Sequence, residues 1–92
     1  MWRGAQVLAP HMVIGVPPET FSDIKKLLGT NIRRLRDARN WTQEQASENI
    51  GIAARHYQKI ESGEVNVTLA TLCRIARAFS VSVQELFRGD SK

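Results

Sequence analysis

The sequence predicts an all-α protein, a compact bundle of five helices with short connections. Apolar residues recur at helical spacing after residue 19, and capping residues and glycines mark the ends of each periodic segment. No segment shows the alternation typical of a strand. Because 92 residues leave no room for a second core, we place the helical domain at 19–88, an N-terminal arm at 1–18 and a tail at 89–92.

The first helix is predicted to begin after Thr20, with Asp23 placed to complement the helix dipole. Its apolar residues keep a period of 3.6 and carry it to about Arg39. Gly29 interrupts the pattern and predicts a split or a bend there. This apolar stripe comprises Ile24, Leu27, Leu28, Ile32 and Leu35.

Two short helices follow, separated by Gly51. Thr42 and Gln45 form a capping box at the start of the first of them. Gly51 can adopt the left-handed conformation that ends a helix, and Gly63 closes the second helix, 54–62. Two short helices and a tight turn form a helix-turn-helix, whose second helix enters the major groove of DNA. Its outward residues are Ala54, Arg55, Gln58 and Lys59.

The last two helices are also marked by caps. Thr68 begins the fourth helix, and Ser82 with Glu85 forms a second capping box that opens a short fifth helix. The inward residues predicted for the fourth helix are Leu69, Leu72, Cys73, Ile75, Ala76 and Phe79. The fifth helix carries Val83, Leu86 and Phe87.

The charge of the chain and its distribution indicate which class of partner the protein binds. The net charge is +4, and the basic residues concentrate on the first helix and on 54–62, whereas Glu64 and Glu85 lie toward the C-terminal end. A basic face suits phosphate binding.

Cys73 is the only cysteine, so neither a disulfide framework nor a zinc set is expected, which fits a reducing cytoplasm. No apolar run approaches the ~20 residues of a membrane span. We find no nucleophile with a base, catalytic carboxylate pair or phosphate loop, and His56 has no partner at metal-ligand spacing, so we predict neither an enzyme nor a metal site.

Several short motifs occur in a fixed order between Leu28 and Phe87. They are Ile32-Arg33-x-Leu35-Arg36, Trp41-Thr42-Gln43-Glu44, Ile50-Gly51-Ile52, Ile60-Glu61-x-Gly63 and Leu69-x-x-Leu72-x-x-Ile75-Ala76-x-Ala78-Phe79-x-Val81. At this spacing they resemble the phage-repressor-like helix-turn-helix family of the Xre/Cro type. The resemblance implies a lambda-repressor-like DNA-binding domain that requires no cofactor.

The resemblance also implies residue roles. Gln43 corresponds to a glutamine that clamps the DNA backbone at a helix N-terminus, where free N–H groups favour a phosphate. Base-reading positions are the first residues of the recognition helix and those one turn later. They map to Ala54, Arg55 and Lys59, with Gln58 as a further candidate and Ala53 at the start. Base reading is favoured for Arg55, whereas base and phosphate contact stay equally open for Lys59. Arg33 extends the basic surface.

Arg36 and Glu61 are predicted to form a partly buried ion pair, since the family joins these two motif positions. The pair would orient the recognition helix rather than add net stability, because desolvation offsets much of the attraction. The alternative is that both residues are independent surface charges.

The leading functional hypothesis is a cytoplasmic, sequence-specific transcriptional regulator that binds double-stranded DNA. One recognition helix reads too few bases for specificity, so we expect a homodimer on a palindromic operator. We expect the dimer interface to be an apolar patch near the C-terminal end. Two of its residues, Leu86 and Phe87, can instead close the monomer core. The N-terminal arm, with Trp2, Leu8 and Ile14, can reach across and reinforce the dimer. The patch comprises Val81, Val83, Leu86 and Phe87. The alternative function is an antitoxin-type or other protein-interaction module.

Overall fold

The computed structural model describes residues 20–89, and this part of the chain contains helices and no strand. Helix α1 spans Phe21–Ala38, α2 Gln43–Ile50, α3 Ala54–Glu61 and α4 Leu69–Phe79, and a 3₁₀ helix spans Val83–Phe87. The predicted all-α class is confirmed, and the fifth helical segment is 3₁₀ rather than α. The predicted arm and residues 90–92 of the tail lie outside the described residues. Within that region no helix is long and apolar enough to cross a membrane.

Helix α1 begins with a capping box. Thr20 Oγ1 accepts a hydrogen bond from the Asp23 backbone at 3.0 Å, and the Thr20 backbone N–H donates to Asp23 Oδ2 at 3.3 Å. Hydrogen bonding of the Asp23 carboxylate to the side chain and backbone of Thr20 lowers the pKa of Asp23. Of the two predicted alternatives at Gly29, a split is wrong, because α1 is continuous through it. A Cβ on Gly29 would lie 2.9 Å from the Glu61 carbonyl carbon, and closer still to its oxygen. The glycine therefore permits close packing against α3.

Helices α2 and α3 form the helix-turn-helix. Thr42 and Gln45 exchange the two hydrogen bonds of a capping box, at 3.0 and 2.8 Å. Gly51 ends α2 in the left-handed conformation at φ +89°, which costs little without a side chain. Helix α3 then starts from Ala53, which supplies no side-chain cap. Its first N–H groups must therefore find partners elsewhere.

Helix α4 is capped by Thr68, but two of its predicted inward residues are exposed. Leu69 is 79% exposed and Cys73 is also exposed. Cys73 follows the buried Leu72 by one residue, which turns it about 100° away on the helix. Leu69 lies in the first turn, at the edge of the stripe. The buried stripe is Leu72, Ile75, Ala76 and Phe79.

The 3₁₀ helix closes the core. Leu86 is 0% exposed and packs within the hydrophobic core cluster of residues 20–89. Asn31 of α1, also buried, holds this segment by donating from Nδ2 to the carbonyl oxygens of Leu86 at 2.8 Å and Arg88 at 3.0 Å. The prediction that Leu86 belongs to an exposed dimer patch is therefore wrong, and its alternative role in the monomer core is the one observed. Val83 is exposed, whereas Val81 and Phe87 are half-buried.

Candidate nucleic-acid interface

The carboxylate of Glu61, at the end of α3, is the acceptor at the centre of a polar cluster. Arg36 donates from Nε to Glu61 Oε2 at 2.7 Å and from Nη2 to Oε1 at 3.2 Å. Tyr57 donates its hydroxyl to Oε2, and Gln43 donates Nε2 to Oε1, both at 2.7 Å. Arg36 also donates to the Trp41 carbonyl at 2.9 Å. The cluster thus joins α1, the turn before α2, and both helices of the helix-turn-helix.

Burial and hydrogen bonding act against each other in this cluster. The side chains of Glu61 and Arg36 are only 6% and 13% exposed. Burial opposes ionisation of Glu61, but hydrogen bonds from Arg36, Tyr57 and Gln43 outweigh it and lower the pKa of the carboxyl. The hydrogen bond to Glu61 raises the pKa of Arg36. Burial, with the hydrogen bond to Glu61, raises the pKa of Tyr57. The cluster therefore holds one ionised pair and a neutral phenol at neutral pH.

A shallow concave surface lies beside this cluster, with a volume of about 570 Å³. We call it the α3 concavity. Its lining residues are Gln43, Arg55, Gln58, Lys59, Ser62 and Glu64. Arg55, Gln58 and Lys59 are exposed, and neither Arg55 nor Lys59 forms an ion pair with any residue of 20–89. Four of the predicted DNA-binding residues thus share one surface, and its two cations are open to an incoming anion.

The other predicted contacts lie outside the α3 concavity. Ala53 is exposed at the start of α3, and Ala54 is half-buried in its first turn. Arg33 is exposed on α1. Arg33 is not among the residues that line the α3 concavity.

Two other basic residues, one on α1 and one directly after it, donate hydrogen bonds within the protein. Arg34 donates to the Oδ1 of Asn31 at 2.7 Å. Arg39 donates to the backbone carbonyls of Leu35, at 2.8 Å, and of Phe79. Because these acceptors are neutral, both side chains keep their positive charge, but the bonded N–H groups are not free for a phosphate.

Sequence reasoning missed Ser62 and Glu64 in the α3 concavity. The Ser62 hydroxyl donates to Glu64 Oε2 at 2.7 Å. The Glu64 backbone N–H donates to the Lys59 carbonyl at 2.9 Å, so the chain folds back over the end of α3. The turn at Gly63 was the available signal. This turn places the Glu64 carboxylate in the same surface as Arg55 and Lys59.

The described residues contain no group of three metal-ligating side chains. His56, half-buried on α3, therefore has no metal-binding cluster around it in residues 20–89.

Comparison with known proteins agrees with this architecture. Residues 32–86 match the helix-turn-helix family model. Control protein C.SmaI of Serratia marcescens is 41% identical over 66 residues, which cover 72% of this chain and 79% of that protein. The restriction-modification controller protein C.AhdI of Aeromonas hydrophila superposes with a TM-score of 0.66 at 28% identity, covering 68% of this chain and 96% of that one. An HTH_3 family transcriptional regulator from Vibrio cholerae gives a TM-score of 0.70 at 26% identity; the match covers 74% of this chain but only 38% of the regulator's length. The chain therefore belongs to the helix-turn-helix family of DNA-binding transcriptional regulators, a non-enzymatic family of the phage-repressor-like type.

Proposed function

We propose that the protein binds double-stranded DNA in a sequence-specific manner, with α3 in the major groove and the N-terminus of α2 against the phosphate backbone. The observation that carries the proposal is the α3 concavity. It combines two cations open to an anion, Arg55 and Lys59, with Gln43 at a helix N-terminus. Backbone N–H groups and the helix dipole attract phosphate at that position. The names of C.SmaI and C.AhdI, both controllers, support a regulatory role.

Base reading is assigned to the first turn of α3. Arg55 is exposed in that turn and suits guanine, whose O6 and N7 accept a bidentate pair of hydrogen bonds. Ala53 and Ala54 offer only small apolar contacts, such as a thymine methyl. Gln58 and Lys59 follow one turn later, and Lys59 contacts either a base or a phosphate. Gln43 and Arg33 contact the phosphate backbone of the DNA, which adds affinity but does not distinguish one base sequence from another.

The binding unit is proposed to be a homodimer on a palindromic operator. A second copy would place the two α3 helices about one DNA turn apart, ~34–36 Å. With Leu86 buried, the remaining interface candidates are Val81, Val83 and Phe87. The predicted contribution of the N-terminal arm falls outside the described residues and stays a prediction.

Selection of bound duplexes from a random DNA pool tests this function and yields the half-site and spacing. Titration at two salt concentrations should then show a slope of about −0.9 in log K against log salt for each neutralised phosphate. Arg55→Ala should cost roughly 1–3 kcal/mol at one base pair of each half-site. Gln43→Ala should weaken all sequences equally. Arg77→Ala removes a charge outside the α3 concavity and serves as the control.

No selected sequence and a flat salt dependence would refute DNA binding. Uniform loss of affinity in Arg55→Ala would reassign that residue to a phosphate contact.

Protein interaction remains the second candidate function, because an apolar groove opens between α1, the segment before α4 and the 3₁₀ helix. Phe21 and Ile24 are exposed along it, and Phe87 lies at its other side. Sedimentation of the intact chain, of Phe87→Glu and of a version lacking residues 1–18 separates the possibilities. A monomer at tens of micromolar would refute the homodimer, and co-purification of a different protein would favour an antitoxin-type role.

A further inference from the structure

The contact between Gln43 and Glu61 fixes the orientation of an amide that faces the proposed DNA surface. An ionised carboxylate only accepts hydrogen bonds, so Gln43 must turn its Nε2, not its Oε1, toward Glu61. Nε2 carries two N–H groups. One is used by Glu61, and the other remains on a side chain that lines the α3 concavity beside Arg55 and Lys59.

We infer that Glu61 is a positioning residue for DNA binding, which acts through Gln43 and does not touch DNA. It holds the Gln43 amide so that the second N–H of Nε2 is presented to a backbone phosphate. The inference rests on the proposed function. With only 6% of its side chain exposed, Glu61 has no surface to contribute to a DNA contact of its own.

Arg36 supports the same role of Glu61, because it compensates the carboxylate's charge. A bare carboxylate so close to Gln43 would repel the phosphate that Gln43 is meant to bind. Arg36 places a guanidinium against both oxygens of Glu61, at 2.7 and 3.2 Å, which neutralises that charge, and Oε1 accepts a further hydrogen bond from Gln43. Tyr57 supplies a further donor to Oε2.

The alternative is that Glu61 only attaches α3 to α1, and that Gln43 binds phosphate equally well without it. The two explanations differ in whether the effects of Gln43 and Glu61 on DNA affinity are coupled. They do not differ in their effect on stability, so stability alone cannot distinguish them.

The test replaces the ion pair as a unit, in Arg36→Met/Glu61→Met. Apolar replacement of both partners of a buried pair is often neutral or stabilising, whereas removal of one partner leaves an unpaired charge. Gln43→Ala is made in the wild-type and in this background. Affinity for a selected duplex is measured by fluorescence anisotropy, and thermal unfolding monitored by circular dichroism checks each variant's fold.

In the wild-type background Gln43→Ala should weaken binding by about tenfold or more, the value of one hydrogen bond to a charged group. In the Met/Met background the same substitution should change affinity less than about twofold, because Gln43 is no longer held. An equal loss in both backgrounds would overturn the inference and leave Glu61 with a structural role only. No effect of Gln43→Ala on a chain that binds DNA would overturn it too, with the proposed function intact. Absence of any DNA binding by the wild type would instead refute the function.

A second measurement keeps the inference testable if the Met/Met variant does not fold. The side-chain amide of Gln43 in the intact protein gives two ¹H–¹⁵N correlations, which Gln43→Ala identifies by their absence. One proton should exchange slowly with solvent in the free protein, because it is bonded to Glu61. The other should shift when duplex DNA is added. Two fast-exchanging protons, or no shift with DNA, would contradict the inference.

Discussion

Substitution of Gly29 by alanine should destabilise the protein, although alanine is the better helix former. In a helix interior the exchange normally gains about 1 kcal/mol. Here a Cβ would lie 2.9 Å from the Glu61 carbonyl carbon and 3.0 Å from the Ile60 carbonyl oxygen. Ordinary contacts need ~3.5 Å, so α1 and α3 must separate by a fraction of an ångström to about 1 Å. Overpacking costs typically ~1–3 kcal/mol, and separation also loosens Arg36 from Glu61.

After subtraction of the helix-propensity gain of about 1 kcal/mol, we expect a net loss of about 1 kcal/mol, or roughly 4–8 °C in Tm for a domain of this size. Urea unfolding followed by circular dichroism measures it. Thr30→Ala is the matched control, since Thr30 is exposed in the same helix, and should change stability by less than about 0.5 kcal/mol. A Gly29→Ala protein as stable as the wild type would show that the two helices do not approach each other as described.

Three further predictions concern the polar cluster and the α3 concavity. The pKa of Tyr57 is higher in the folded protein than in the unfolded chain. The neutral phenol therefore contributes to stability fully below the unfolded pKa of about 10, and the contribution is lost as the pH rises toward the folded pKa. Urea unfolding above pH 10 should show a falling free energy of unfolding for the wild type but not for Tyr57→Phe, and identical pH profiles of the two proteins would contradict this. Glu64→Gln should tighten DNA binding at low salt and much less at high salt, because a carboxylate beside Lys59 repels phosphates; unchanged affinity at low salt would mean that DNA does not approach Glu64. Arg36→Ala and Glu61→Ala should each cost about 3–5 kcal/mol of stability, with the double variant well below their sum, whereas additive losses would exclude coupling.

The helix boundaries were predictable because their signals are local. Thr20, Thr42 and Thr68 each accept a hydrogen bond from the backbone three residues later. Such a cap depends only on the residues within one turn of it. The same locality applies at Ala53, whose methyl group cannot accept a hydrogen bond and leaves α3 without a side-chain cap.

The errors came from contacts between distant parts of the chain. Gly29 looked like a helix breaker because sequence shows its propensity but not the carbonyl of α3 that it accommodates. Leu69 and Cys73 fit an apolar stripe, but which face of α4 is covered depends on where the other helices lie. Asn31 gave no signal, since a buried asparagine is identified only by its partners, the carbonyls near the C-terminal end of the described chain.

The candidate site was predictable residue by residue but not as an arrangement. Motif spacing placed Gln43 and Arg55 on adjacent helices, and both line the α3 concavity. The contact of Gln43 with Glu61 was not foreseen, because a side chain assigned to phosphate was not also expected to bond within the protein. The position of Glu64 in the α3 concavity was not foreseen either, because it depends on how the chain turns at Gly63.

Helix α3 has eight residues and no side-chain cap, which is too short for a helix to be stable by itself in water. Its orientation must therefore come from the residues that attach it, and these lie on one face. Tyr57, Ile60 and Glu61 face inward, whereas Arg55 and Lys59 face outward and make no ion pair within residues 20–89. Because attachment and base reading use different residues, the outward positions can be exchanged without loss of the fold. The specificity of this domain should thus be alterable at α3 alone, provided that the Glu61 cluster still holds the helix and Gln43 in place.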